Sequence, residues 1–182
     1  MPPTLPPTTS LISIEAYLEQ EKIGDIKHEY IAGILYPLNG TSKRHNRLLG
    51  SFLMPLMDVR QKGCHVFATS VKLHPTPDTF YYPDLMFTCE PSEDEYVVYK
   101  ASVVIEILSE SSHMRDRLEK WLAYKQMDSL QHYLLVHPDE ILVEHFYRQE
   151  DGQWQVKIER EEVVLSCPEV VLELPELYAG IL

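Results

Sequence analysis

Apolar and polar positions along the chain fall into short runs that read mostly as strands, with three helical stretches between them. Two apolar runs differ from the rest because a single carboxylate interrupts each: Tyr82-Pro83-Asp84-Leu85-Met86-Phe87 and Val103-Val104-Ile105-Glu106-Ile107-Leu108. Their length and their β-branched or aromatic content predict strands, with Pro83 at a strand start where its missing N–H is tolerated. Period-two alternation puts Val104, Glu106 and Leu108 on one face and Val103, Ile105 and Ile107 on the other. A strand apolar on both faces is covered on both sides, so Glu106 projects into the interior. An ionised carboxylate there costs on the order of several kcal/mol unless a metal ion or a lysine compensates it.

A helical pattern follows from Arg115 to about Met127, with Leu118, Trp121 and Leu122 as its main apolar stripe. Lys120 falls on the flank of that stripe, between Met127 and Tyr124. From there it either snorkels to solvent or reaches back over the sheet toward Asp84 and Glu106. Two acids on neighbouring strands plus a lysine suffice for metal-assisted phosphodiester hydrolysis. The acids hold a divalent ion, and the lysine stabilises charge or orients water.

The rest of the pattern supplies a frame around these runs. Residues 1–10 are rich in Pro and Thr and read as a disordered lead, which leaves 11–182 as a single domain. Ser13 caps a short helix with Ile14, Tyr17 and Leu18 on one face. Ile26 to Leu38 reads as a hairpin turning at Ala32-Gly33, with Gly33 supplying positive φ. A turn at 39–42 opens a helix from Lys43 to about Met57, with Leu48, Leu49, Phe52 and Leu53 buried and Pro55 ending or kinking it. Strands follow near Val66 and Val71, then a Pro75 to Asp78 turn into the Asp84 strand, and an acidic loop at Glu90–Glu95. Tyr133-Leu134-Leu135-Val136 completes a strand-helix-strand crossover. Ile141–Arg148 and Trp154–Ile158 extend the sheet as an antiparallel meander, and the tail from Val163 to Leu182 packs onto the domain.

Length and composition narrow the class. The chain has 182 residues, 45% hydrophobic and 24% charged, which suits one soluble domain with a substantial core. No apolar run is long enough to span a membrane and no secretory pattern opens the chain, so a cytoplasmic protein without membrane contact is expected. Cys64, Cys89 and Cys167 are odd in number and scattered, which argues for a reducing compartment and against a disulfide framework or a cysteine zinc site. The net charge of −12 disfavours tight, promiscuous DNA binding, although a local basic surface can still engage a phosphate backbone. The best such surface is the start of the second helix, where Lys43, Arg44, His45 and Arg47 crowd an N-terminus whose amides attract phosphate.

Tyr-Pro-Asp-Leu at 82–85, Val-Ile-Glu-Ile-Leu-Ser at 104–109 and Asp-Arg-Leu-Glu-Lys at 116–120 resemble the restriction-endonuclease-like family abundant in cyanobacteria, part of the PD-(D/E)XK nuclease superfamily. The resemblance covers roughly residues 12–178. In the usual pattern the lysine follows the acid by two residues, where this chain has Leu108. The variant resembled here carries it on the following helix, at Lys120. The hairpin signature makes Glu29 a candidate third acid, alongside its reading as a surface strand residue, and His45 matches a histidine usual in the family. Glu110, Leu118 and His137 depart from the family pattern, and none belongs to the acid-acid-lysine set.

The expectation is therefore an α/β (α+β) restriction-endonuclease-like core, a mixed sheet flanked by helices with an antiparallel meander. The resemblance implies a magnesium- or manganese-dependent endonuclease acting on DNA, with a homodimer as its working form. Asp84 and Glu106 are its expected metal ligands, with a carbonyl near Ile107 assisting, and Lys120 and Glu29 join them as catalytic candidates. The rivals are a nucleic-acid-binding or regulatory module that keeps the fold without cutting, and a protein-interaction domain using the meander.

Overall fold

A chain that must bury both faces of its Val103 run needs a layer on each side of it. The computed structural model describes residues 11–57, 63–90, 93–109, 115–166 and 169–182. Residues 1–10, read from sequence as a lead, lie outside them, as do Cys167, Glu110 and part of the acidic loop.

The element order is α1 (Ile14–Ile23), β1 (His28–Ile31), β2 (Ile34–Pro37), α2 (Lys43–Leu56), β3 (His65–Ala68), β4 (Lys72–Thr76), β5 (Thr79–Tyr81), β6 (Leu85–Thr88), β7 (Val97–Val98) and β8 (Val103–Ile107). A π-helical turn (Arg115–Lys120) then runs into α3 (Trp121–Tyr124), followed by β9 (His132–Val136), β10 (Val143–Arg148), β11 (Trp154–Glu159), β12 (Glu162–Ser166), β13 (Glu169–Glu173) and α4 (Leu174–Leu177).

The central sheet has six strands in the order β11-β10-β9-β8-β6-β3. β8 and β9 run parallel, as the crossover requires, and β9-β10-β11 form the antiparallel meander. One face of this sheet buries Val103, Ile105 and Ile107 against Leu48, Phe52 and Leu56 of α2 and against the β12–β13 hairpin. The other buries Val104 and Leu108 against Ala123, Tyr124 and Met127, and against Leu73 and Tyr81 of a second sheet.

That second sheet corrects the expectation of a single one. It has five strands in the order β2-β1-β5-β4-β7, and α1 covers it with Tyr17 packed on Tyr30 and Phe80. The strand expected from Tyr82 begins only at Leu85: Tyr82-Pro83-Asp84 is the bend that joins β5 of the second sheet to β6 of the central one. The tight hairpin is present, and both turn residues take positive φ, 47° at Ala32 and 90° at Gly33, as a two-residue hairpin turn demands. Ser13 and Ser42 cap their helices through Ala16 N and His45 N, and α2 stops one residue after Pro55.

The cysteine reading is corrected at one pair. β3 and β6 pair antiparallel with His65 opposite Thr88, so the next step outward sets Cys64 opposite Cys89, and the two are joined as a disulfide. That neighbourhood depends on strand register across 25 residues, which scattered cysteines in a sequence do not reveal. No helix among the described residues is long and apolar enough to cross a membrane.

Candidate acid and lysine site

The π-helical turn and α3 present to the sheet a face different from the expected one. Leu118 and Leu122 are 57% and 44% exposed, while Lys120 is only 5% exposed and lies in line with buried Ala123, Tyr124 and Met127. Both stripes have the same helical spacing, so hydrophobicity alone favoured the wrong one. Burying the leucine stripe would leave the carboxylates of the sheet without a cation, and that electrostatic cost selects the stripe that begins at Lys120.

Lys120 Nζ lies 3.0 Å from Glu106 Oε1 and 3.1 Å from Glu29 Oε1, with all three side chains buried. It also sits 5.6 Å above the centre of the Tyr81 ring, whose hydroxyl donates to Glu119. Tyr124, four residues after Lys120 and on the same face, donates its hydroxyl to Glu106 Oε1 at 2.9 Å. Burial, with Glu106, Tyr133 and Glu29 adding to it, pushes the Tyr124 phenol far above its ordinary value, so it remains a donor.

Asp84 comes to the same sheet end from β6. β6 pairs with β8 with Leu85 opposite Ile105, so one step back Asp84 faces Glu106. Asp84 Oδ2 accepts from Ile107 N at 2.8 Å and contacts His45 Nε2 at 3.1 Å. His45 reaches it from the first turn of α2, where it begins the buried stripe continued by Leu48, Phe52 and Leu56.

The other cations of that turn are placed differently. Arg44 pairs with Asp139, and Arg47 Nη2 donates to Gly180 O at 2.6 Å. Lys43 is exposed. The structure therefore brings Glu106, Lys120 and Glu29 together, pairs Asp84 with His45 one register step from Glu106, and engages Arg44 and Arg47 elsewhere. Tyr124 and Tyr81 belong to the site although sequence reasoning did not assign them to it. For Tyr124 the signal was present in its four-residue offset from Lys120, whereas Tyr81 needed the tertiary fold.

The donor chemistry fits a hard divalent ion. Two carboxylates, Glu106 and Glu29, share the ammonium of Lys120, and Asp84 stands across from Glu106 in the β6–β8 register. Among the described residues no three His, Cys, Asp or Glu side chains form a ready-made cage. Magnesium does not need one. It binds through one or two carboxylates and fills its remaining positions with water and phosphate oxygen.

A family model described as "Putative restriction endonuclease", Uma2, matches residues 14–177. Two proteins of Synechocystis sp. (strain ATCC 27184 / PCC 6803 / Kazusa) are similar along most of their length. Uncharacterized protein sll1609 is 30% identical over 154 residues, covering 81% of this chain and 86% of its own. Uncharacterized protein slr1290 is 29% identical over 151 residues, covering 80% and 78%. The crystal structure of a putative nuclease from Anabaena variabilis ATCC 29413 superposes with a TM-score of 0.73 at 18% identity, over 94% of this chain and 99% of that one. At that identity the likeness establishes the fold.

Proposed function

The chain belongs to the Uma2 family of restriction-endonuclease-like proteins, and from that premise we propose that it is a magnesium- or manganese-dependent endonuclease hydrolysing phosphodiester bonds in DNA. The observation that carries the reading is Lys120 Nζ held between buried Glu106 and Glu29, with Asp84 opposite Glu106 across the β6–β8 pair. A scaffold has little need of a buried acid cluster with one shared cation, because replacing it with apolar packing is often neutral or stabilising.

In this mechanism Asp84 and Glu106 would hold the ion, with a main-chain carbonyl near Ile107 assisting. When bound, the ion polarises the phosphoryl oxygen and supplies a nucleophilic water at neutral pH. Ile107 N and His45 fix one oxygen of Asp84, while Tyr124 and Lys120 fix one oxygen of Glu106, so the two carboxylates are oriented before substrate arrives. Lys120 offers a buried positive charge to the extra negative charge that phosphorus acquires during attack. Glu29 keeps the lysine in place and balances it. We read the working form as a homodimer, which gives each DNA strand its own acid site.

Supercoiled plasmid incubated with magnesium, with manganese and with excess chelator tests the proposal, with Asp84→Asn in parallel. Nicking or linearisation that requires metal and is lost in Asp84→Asn is the expected result. Equal cutting by Asp84→Asn, or cutting in excess chelator, refutes it.

A further inference from the structure

Glu21, in the last turn of α1, places a carboxyl group where a docking helix needs only apolar side chains. It shares the buried face of α1 with Tyr17, four residues earlier, and is 1% exposed. Tyr17 already docks the helix by packing on Tyr30 and Phe80. A carboxyl group in such a position is costly unless donors surround it. They come from two segments far apart in the sequence. At the start of β1, His28 N lies 3.2 Å from both Glu21 oxygens, and the His28 ring Nδ1 lies 2.9 Å from Oε1. In the bend after β5, the Tyr82 hydroxyl donates to Oε2 at 2.7 Å. Burial, with Tyr17 and Glu21 adding to it, pushes the Tyr82 phenol far above its ordinary value, so it stays a donor.

Both segments go on to deliver an acid to the opposite side of the second sheet. Alternation along β1 turns His28 and Tyr30 toward α1 and Glu29 away from it, where Glu29 Oε1 meets Lys120 Nζ at 3.1 Å. Two residues beyond Tyr82, across the fixed φ of Pro83, Asp84 Oδ2 accepts from Ile107 N at 2.8 Å. One buried carboxyl group thus grips both acid-bearing segments from behind.

We propose that Glu21 is a positioning residue of the acid site: through Tyr82 it fixes Asp84, and through His28 it fixes Glu29 and with it Lys120. The inference rests on the nuclease reading above. A shift of the bend displaces a metal ligand, so the ion is held less tightly, while the surface that meets DNA is unchanged.

Magnesium affinity by calorimetry, beside kcat and KM for plasmid nicking, tests the inference in Tyr82→Phe, Glu21→Gln and Tyr30→Phe. Tyr82→Phe removes one hydroxyl and keeps the ring. It should weaken magnesium binding roughly tenfold, the lower end of the cost of losing an outer partner of a metal ligand. At low magnesium its kcat should fall by a similar factor with KM for DNA unchanged, and saturating magnesium should restore most of the rate. Glu21→Gln offers one acceptor oxygen in place of two, so its magnesium affinity should fall at least as far; should it fail to fold, Tyr82→Phe carries the test. Tyr30→Phe is the control for helix docking. It loses a phenol hydrogen bond to Ile12 O, 3.0 Å long and just ahead of α1, and leaves the contacts of Glu21 intact, so it should lose stability without a change in magnesium affinity or kcat. Equal magnesium affinity in the wild type and Tyr82→Phe, or an equal loss in Tyr30→Phe, overturns the inference and leaves Glu21 as a docking residue of α1. A wild-type protein that binds magnesium without cutting plasmid refutes the nuclease reading instead, and the calorimetric comparison then decides the role of Glu21 alone. A wild type that binds no magnesium overturns both.

Discussion

His45 Nε2 lies 3.1 Å from Asp84 Oδ2, so a side chain from one layer of the fold fixes a carboxylate at the end of the strand beneath it. His45 is thereby a positioning residue for Asp84. His45→Ala should lower plasmid cleavage about 10- to 100-fold, the usual cost of losing an outer partner of a metal ligand, with metal affinity falling alongside. The checks are initial cleavage rates and a magnesium titration. Unchanged values for both would make His45 a packing residue of α2.

The acids and the lysine separate by different readouts. Asp84→Asn and Glu106→Gln should each lose metal binding and cleavage together. Lys120→Ala leaves Glu106 and Glu29 buried without their cation, so it should cost about 3–5 kcal/mol of stability in chelator. Saturating magnesium should restore part of that loss, because the ion takes over the charge balance, while cleavage stays at least roughly 100-fold down. Urea melts with and without magnesium beside cleavage rates measure both halves.

Oxygen donors select hard ions. Magnesium and manganese should support turnover, whereas calcium should bind and support it poorly, because its looser geometry misplaces the attacking water. Cleavage assays across the three metals, with calorimetry for occupancy, give the comparison.

The basic turn of α2 makes a smaller claim than its sequence suggests. Arg44 and Arg47 already serve Asp139 and the Gly180 carbonyl. Changing Lys43, Arg44 and Arg47 together to Glu should therefore flatten the salt dependence of DNA binding by about one phosphate contact, not three. Affinity measured between low and moderate salt gives the slope directly.

Acid should weaken the fold through another pair. His132 Nδ1 lies 2.8 Å from His145 Nε2, and His132 Nε2 contacts Ser166 Oγ at 2.9 Å, tying the β12–β13 hairpin to the central sheet. Burial holds His132 down to about 4 and His145 down to about 3, in the latter case with His132 and Lys157 adding to the effect. Both are neutral in the fold, while the unfolded chain takes up protons near pH 6.5. Their stabilising contribution is complete above about pH 6.5 and is lost progressively as the pH falls toward 3–4, on the order of 1–2 kcal/mol per histidine by pH 5. Urea melts at pH 7 and 5 should show the decline, and a His132→Gln, His145→Gln variant should flatten it.

Legibility in the sequence followed the range of the interaction. The hairpin at Ala32-Gly33, the capped α2, the crossover and the meander follow from local chemistry and were readable. Glu106 in an apolar strand announced a need for compensation, and Lys120 was traceable to the face shared with Tyr124. The second sheet was not readable, because nothing local says that β5 and β6, joined only by Tyr82-Pro83-Asp84, belong to different sheets. Register decided the Cys64–Cys89 neighbourhood, and charge decided which stripe of the α3 segment is buried. Neither quantity is contained in periodicity.

The bend at Tyr82-Pro83-Asp84 gives the two sheets a mechanical connection. Tyr81 is the last residue of β5 and Leu85 the first of β6, so any sliding of one layer over its neighbour would be transmitted through three peptide bonds to Asp84. Glu106, anchored in the middle of the central sheet, stays behind. The separation of the two carboxylates is thus tied to how the two layers are seated.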